Sequence, residues 1–197
     1  MCRYERELLG GSRPPLKLIA AGDSPPSSPM VLCVSKVILT EGRRNPDGSV
    51  EDAPELEVTD GWYRLRAEVD APLARAIRKG VIRVGRKIGV VDSKVRCYSD
   101  TFYNTLTGVQ LVTDRKEPSE ILEAYDNVRL GLSGNSTHLV PWHAKLGFGR
   151  CASICTLSSL TSDGGNIAMM KLRIEKVRST SIRVAKNFSQ TGSRCIL

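Results

Sequence analysis

Trp62, Arg64 and Arg66 stand at every second position of the run Trp62-Tyr63-Arg64-Leu65-Arg66-Ala67-Glu68-Val69. In an extended strand such positions share one face. That face carries Trp62, Arg64, Arg66 and Glu68, and the opposite one carries Tyr63, Leu65, Ala67 and Val69. The second set suits a core. The first set suits single-stranded nucleic acid, because guanidinium groups attract phosphates and an aromatic ring stacks on any base. Arg83, Arg86 and Lys87 could line the same side. The plainer alternative has Trp62 packed under a loop and the arginines solvated.

Other chemistries have less support. His138, His143, Cys151 and Cys155 are residue types that bind zinc, but their spacing follows no zinc pattern. The cysteines read better as small apolar residues, and no metal or cofactor is expected. The chain lacks a Gly-x-Ser-x-Gly elbow and a Walker phosphate loop. The carboxylates within 114–126 read as a solvated helix face. No catalytic residue is assigned, and the chain is expected to be a binding module without enzymatic activity.

The charge pattern points the same way. The net charge is +8, and residues 64–96 hold ten Lys/Arg against three Asp/Glu. A basic block of this kind attracts a polyanion, either nucleic acid or an acidic protein. For an acidic protein the candidates are Arg3, Tyr4, Arg6, Arg75, Arg78 and Lys79. The six cysteines are scattered, unlike a dense disulfide framework. No stretch approaches the roughly 18 apolar residues of a membrane span. The charged N-terminus does not read as a secretory signal, so an intracellular location is expected.

Several elements must position these residues. Residues 1–22 read as a helical remnant, with a charged segment, a Gly-Gly break and a second helical turn from Leu16 to Ala21. Residues 23–29 read as a linker. Met30–Leu39 and Leu56–Thr59 read as strands, with a long loop at 40–55. Asp60-Gly61 fits a type I′ hairpin turn. Asp70 reads as an N-cap for a helix from Pro72 to Lys79, closed by Gly80. Strands are expected within 81–91 and from Val128 to Ser133, separated by a long insert near 92–127 with a helix from Pro118 to Tyr125. The tail 178–197 reads as basic and disordered. The order strand, strand, strand, short helix, strand, strand fits a mainly β fold, a five-stranded oligonucleotide-binding (OB) Greek-key barrel. It also allows another small α+β domain.

Six segments narrow the choice: Met30-Val-Leu-Cys-Val-Ser35, Thr59-Asp-Gly-Trp-Tyr63, Val84-Gly-Arg-Lys-Ile88, Gly134-Asn-Ser-Thr137, Trp142-His-Ala-Lys-Leu-Gly-Phe148 and Ser158-Ser-Leu-Thr-Ser-Asp-Gly-Gly-Asn166. In this order they resemble the first OB domain of the breast cancer type 2 susceptibility protein family of recombination mediators. Arg3-Tyr4-Glu5-Arg6-Glu7 resembles the end of the helical domain that precedes it. The resemblance covers roughly 1–91 and 126–177, with 30–177 as the OB domain, and has no counterpart for 96–113. It implies an OB barrel, a nuclear location and a role in double-strand break repair by homologous recombination. The partners it implies are single-stranded DNA and a small acidic protein shared with the proteasome lid. It implies contact with a RecA-like recombinase only through regions absent from this chain. A protein-interaction module that never touches DNA is the alternative reading.

Overall fold

The computed structural model describes residues 5, 11, 13–39, 43–44, 50–51, 54–103, 110–113, 120–149 and 154–173. Arg3, Tyr4, Arg6, Cys151 and the tail 178–197 lie outside the described residues.

In chain order the elements begin with helix α1 (Pro15–Ala21) and strand β1 (Met30–Leu39). A small ribbon follows, β2 (Arg43–Arg44) with β3 (Val50–Glu51), where a plain loop was expected. Next come β4 (Pro54–Thr59), β5 (Arg64–Val69), helix α2 (Ala71–Arg78) and β6 (Lys87–Val90). The chain continues with β7 (Lys94–Tyr103), β8 (Gln110–Thr113), the short helix α3 (Ala124–Asn127) and β9 (Val128–Leu132). It ends with β10 (Thr137–Leu139) and β11 (Gly147–Phe148).

The strands curl into an OB barrel. β1 runs antiparallel to β4 and β4 to β5, and β5 lies parallel to β9. β6 pairs antiparallel with β1, and β7 antiparallel with β9. Only Val91, Asp92 and Ser93 separate β6 from β7, so this corner joins the two arms of the sheet. Asp92 takes φ 54° there, the one positive φ at a described non-glycine residue. Its N–H donates to the Ser27 carbonyl, and the Ser93 hydroxyl donates to the Pro26 carbonyl. The segment 23–29 therefore staples the corner.

Alternation places the core. Leu32, Val34, Leu56, Val58, Leu65, Ala67, Ile88, Val90 and Leu130 are wholly buried. Tyr63 and Val69 pack on this core as the period-two pattern predicts. Leu16, Ile19 and Ala20 of α1 enter the same cluster. The Leu16 N–H donates to Asp60 Oδ2 at 3.1 Å. The other oxygen of Asp60 accepts the N–H groups of Trp62 and Tyr63 at 2.9 and 2.8 Å. The turn therefore differs from the expected type I′. It spans Asp60–Tyr63, and only Gly61 has positive φ (91°). The Asp60 carboxylate organises it in place of a two-residue turn geometry.

Asp70 caps α2 as expected, accepting the Leu73 N–H at 3.1 Å. Its second oxygen accepts the Gly134 N–H at 2.6 Å and so ties the helix to the end of β9. The insert expected near 92–127 contributes to the sheet instead: β7 lies against β9, and β8 pairs with β7. Of the helix expected from Pro118 to Tyr125, Pro118 and Ser119 lie outside the described residues, and the rest holds a turn at 121–123 followed by α3.

Beyond β9 the chain folds back over the barrel. β10 pairs with β6 and β11 with β1. The Asn135 side chain anchors this arm, donating to the carbonyls of Thr161 and Gly165 at 3.0 Å each and accepting the Thr161 N–H at 2.9 Å. The arm also reaches α2 through Arg75, whose two terminal nitrogens meet Asp163 at 2.8 and 3.1 Å.

Candidate nucleic-acid interface

The outer face of β4 and β5 begins with alternation: inward Leu56, Val58, Leu65 and Ala67 leave Glu55, Glu57, Arg64, Arg66 and Glu68 facing out. Ile121 packs into the core and brings α3 over this face. The result is a groove of about 620 Å³ lined by Glu57, Trp62, Arg64, Tyr125 and Asp126, among others. The Arg64 guanidinium carbon sits 4.8 Å from the centroid of the Tyr125 ring, and that of Arg66 sits 5.4 Å away. Both distances suit cation–π contact.

Glu57 lies at the floor, 5% exposed although it points outward. The Tyr125 hydroxyl donates to its Oε2, and the Ser35 hydroxyl donates to its Oε1 at 2.7 Å. Burial pushes the Glu57 carboxyl up. The two hydroxyls, then Arg64 and Lys36, outweigh burial and hold it below its ordinary range. The bond to Glu57 and burial push Tyr125 up, against Arg66. At neutral pH the floor is therefore a carboxylate held by a neutral phenol.

The arginines of this face have carboxylate partners. Arg64 lies 3.6 Å from Glu57, Arg66 3.9 Å from Asp126, Arg96 2.7 Å from Glu68, and Arg129 3.5 Å from Glu55. The face is thus nearly neutral, with the Arg64 side chain 66% exposed.

The six residues expected to contact DNA divide between places. Trp62 and Arg64 line the groove, and Arg66 stacks on Tyr125. Trp62 is half-buried in the turn before β5, two residues short of the strand on which it was expected. Arg86 is exposed in the turn before β6. The Lys87 amine donates to the Ala144 carbonyl at 2.7 Å.

Arg83 joins Arg78 on a second groove of about 640 Å³, whose walls include Val37, Leu39, Ile77 and Ile82. Among the described residues this groove has no aromatic ring, and none lines both grooves. Of the candidates for an acidic partner, Arg78 lines it and Lys79 is exposed beside it. Arg75 is engaged with Asp163 instead. Contact with Asp163 raises Arg75 above its usual range, and contact with Arg75 lowers Asp163.

Tyr125, Glu57 and Asp126 are the groove residues that sequence reasoning missed. Leu56–Thr59 reads as a strand without a face for Glu57, and nothing in the spacing brings Tyr125 across to it. Of the zinc-type residues, His138 packs on Gly89, and the Cys155 thiol contacts the Asn135 carbonyl at 3.1 Å. Among the described residues no three such side chains gather.

Comparison with known proteins agrees with the OB barrel. The family described as BRCA2, oligonucleotide/oligosaccharide-binding, domain 1, matches residues 14–150. The protein BREAST CANCER SUSCEPTIBILITY 2 homolog A of Arabidopsis thaliana is 27% identical over 183 residues, which cover 89% of this chain and 14% of the relative. Homolog B of the same plant is 30% identical over 155 residues, 74% of this chain and 12% of the relative. The chain thus spans only a small part of either relative.

Proposed function

The chain belongs to the BRCA2 family through its first OB domain, and on that premise we propose that it is a nuclear binding module of homologous recombination that holds single-stranded DNA in the Tyr125 groove. One observation carries the reading: Tyr125 and Trp62 stand with Arg64 and Arg66 on the outer face of β4 and β5. Rings provide stacking surfaces, and guanidinium groups attract the backbone. The action is capture without covalent chemistry.

The carboxylate partners of these arginines shape the expected binding. A cation that neutralises a phosphate contributes about −0.7 to the slope of log K against log salt for a single strand. Arg64 and Arg66 must exchange Glu57 and Asp126 for phosphates, so the slope is expected to be shallower than the roughly −1.4 of two free cations. Affinity then rests mainly on stacking. The experiment is fluorescence anisotropy of labelled oligothymidine, with a duplex control, at low and physiological salt. Tyr125→Ala is expected to cost about 1–3 kcal/mol of binding. Equal binding to duplex, or no effect of Tyr125→Ala, would sink the reading.

The second groove favours a second reading, a protein-interaction module. Its aliphatic walls and Arg78 and Arg83 suit an acidic polypeptide with apolar anchors better than bases. Binding of an acidic peptide that is lost in Arg83→Glu, without oligothymidine binding, would select it.

A further inference from the structure

Trp142 is 85% exposed, more than any other large apolar side chain described. Single exposed hydrophobic residues are common, so exposure alone means little. The backbone that presents this indole is firmly held. Trp142 and His143 form the tip of a turn closed by the Ala144 N–H on the Pro141 carbonyl at 3.0 Å. The Val140 N–H donates to the Lys87 carbonyl at 3.1 Å, and the Lys87 amine returns to the Ala144 carbonyl at 2.7 Å. Gly147 and Phe148 then pair with β1. The turn is thus tied to β6 on one side and to β1 on the other, with its indole in solvent.

The stretch that follows the turn reaches the rim of the groove. The Leu146 side chain lies 3.3 Å from where a Cβ on Gly61 would stand, and the next residue, Trp62, lines the groove. Charge distinguishes the two places. The Tyr125 groove carries its own carboxylates, whereas no Asp or Glu occurs between Asp126 and Asp163. Lys145 is exposed directly after the turn. A phosphate chain leaving the groove past Gly61 would meet a ring and a cation there, with no carboxylate from that stretch of chain.

We propose that Trp142 is a second base-stacking position, which extends the single-strand path from the Tyr125 groove across the Gly61 turn. The inference rests on the single-strand reading above. It assigns the motif around Trp142 a ligand contact in addition to its part in the arm.

The protein has two tryptophans, so Trp62→Phe leaves Trp142 as the one indole and its emission as a direct report. The experiment titrates the full chain carrying Trp62→Phe with dye-labelled oligothymidine, reading indole emission and dye anisotropy together. Emission is expected to quench along the same curve as the anisotropy. Trp142→Ala is expected to weaken binding of a long oligothymidine by about five- to a hundredfold, with little effect on one too short to leave the groove. Binding without quenching, or without length-dependent loss in Trp142→Ala, overturns the inference and leaves the groove reading intact. No binding by anisotropy to the unsubstituted chain, in which Trp62 is intact, overturns both. Self-association that disappears in Trp142→Ala, seen by sedimentation, also overturns it and makes the indole a contact between copies of the chain.

Discussion

Gly89 and His138 show how tightly single residues are fitted. A Cβ on Gly89 would stand 2.3 Å from His138 Cε1 and 2.5 Å from Nε2. Gly89→Ala is therefore expected to destabilise the fold by about 1–3 kcal/mol, measured by urea unfolding, and to cost much less beside His138→Ala. Burial lowers the pKa of His138 below its usual 6.5, so the folded state favours the neutral ring. The unfolded chain takes up that proton first, and stability falls as pH drops through the window from 6.5 to the depressed value. Glu57 acts in the same direction at lower pH: its contribution is complete above its ordinary 4.5 and is lost as pH falls through its lowered value. His138→Gln is expected to flatten the stability profile just below pH 6.5 without changing the more acidic limb; an unchanged profile would contradict this. Little of this could be read from the chain, because the histidine and its glycine are joined only by the pairing of β10 with β6.

At the scale of elements, local signals served where the element is local. The Asp70 cap and the alternation in β5 both lie within a few residues, and the structure keeps each of them. The second bond of Asp70, to the Gly134 N–H, spans the barrel and has no such signal. Asp70→Ala removes both acceptors and is expected to cost about 1–3 kcal/mol. Asp70→Ser, which keeps the cap alone, is expected to recover part of that loss. Equal unfolding midpoints for Asp70→Ser and the unsubstituted chain would show that the Gly134 bond contributes nothing. The same limit explains the region after β6. A strand is marked only by its own few residues, and Lys94–Tyr103 mixes polar and apolar residues without strict alternation. Its place beside β9 comes from the Asp92 corner, a conformation that no sequence pattern here announced.

For the whole molecule, the barrel was legible because its strands carry clear patterns in the expected order. The candidate site was half legible. Trp62, Arg64 and Arg66 share a short stretch, whereas Tyr125 reaches them only once α3 lies across the barrel. The share of α1 in the core was also hidden, since Leu16, Ile19 and Ala20 are too few to signal where they pack. Starting the chain at Met30 would expose the surface that Leu16 and Ile19 cover and strand the Asp60 carboxylate. We expect a loss of about 3–6 kcal/mol relative to the chain starting at Arg13, read by thermal or urea unfolding. A fully stable Met30 version would show that α1 is an accessory.

The parallel pairing of β5 with β9 has a consequence for synthesis. Val69 finds its partner at Leu132, so on the ribosome β5 waits while the intervening chain is made. Until then one side of it presents unpaired N–H and C=O groups, the template on which strands of other chains assemble. A message cut short before Val128 would release a sticky sheet edge in place of a weakened module, and its product would be a burden for chaperones and proteases.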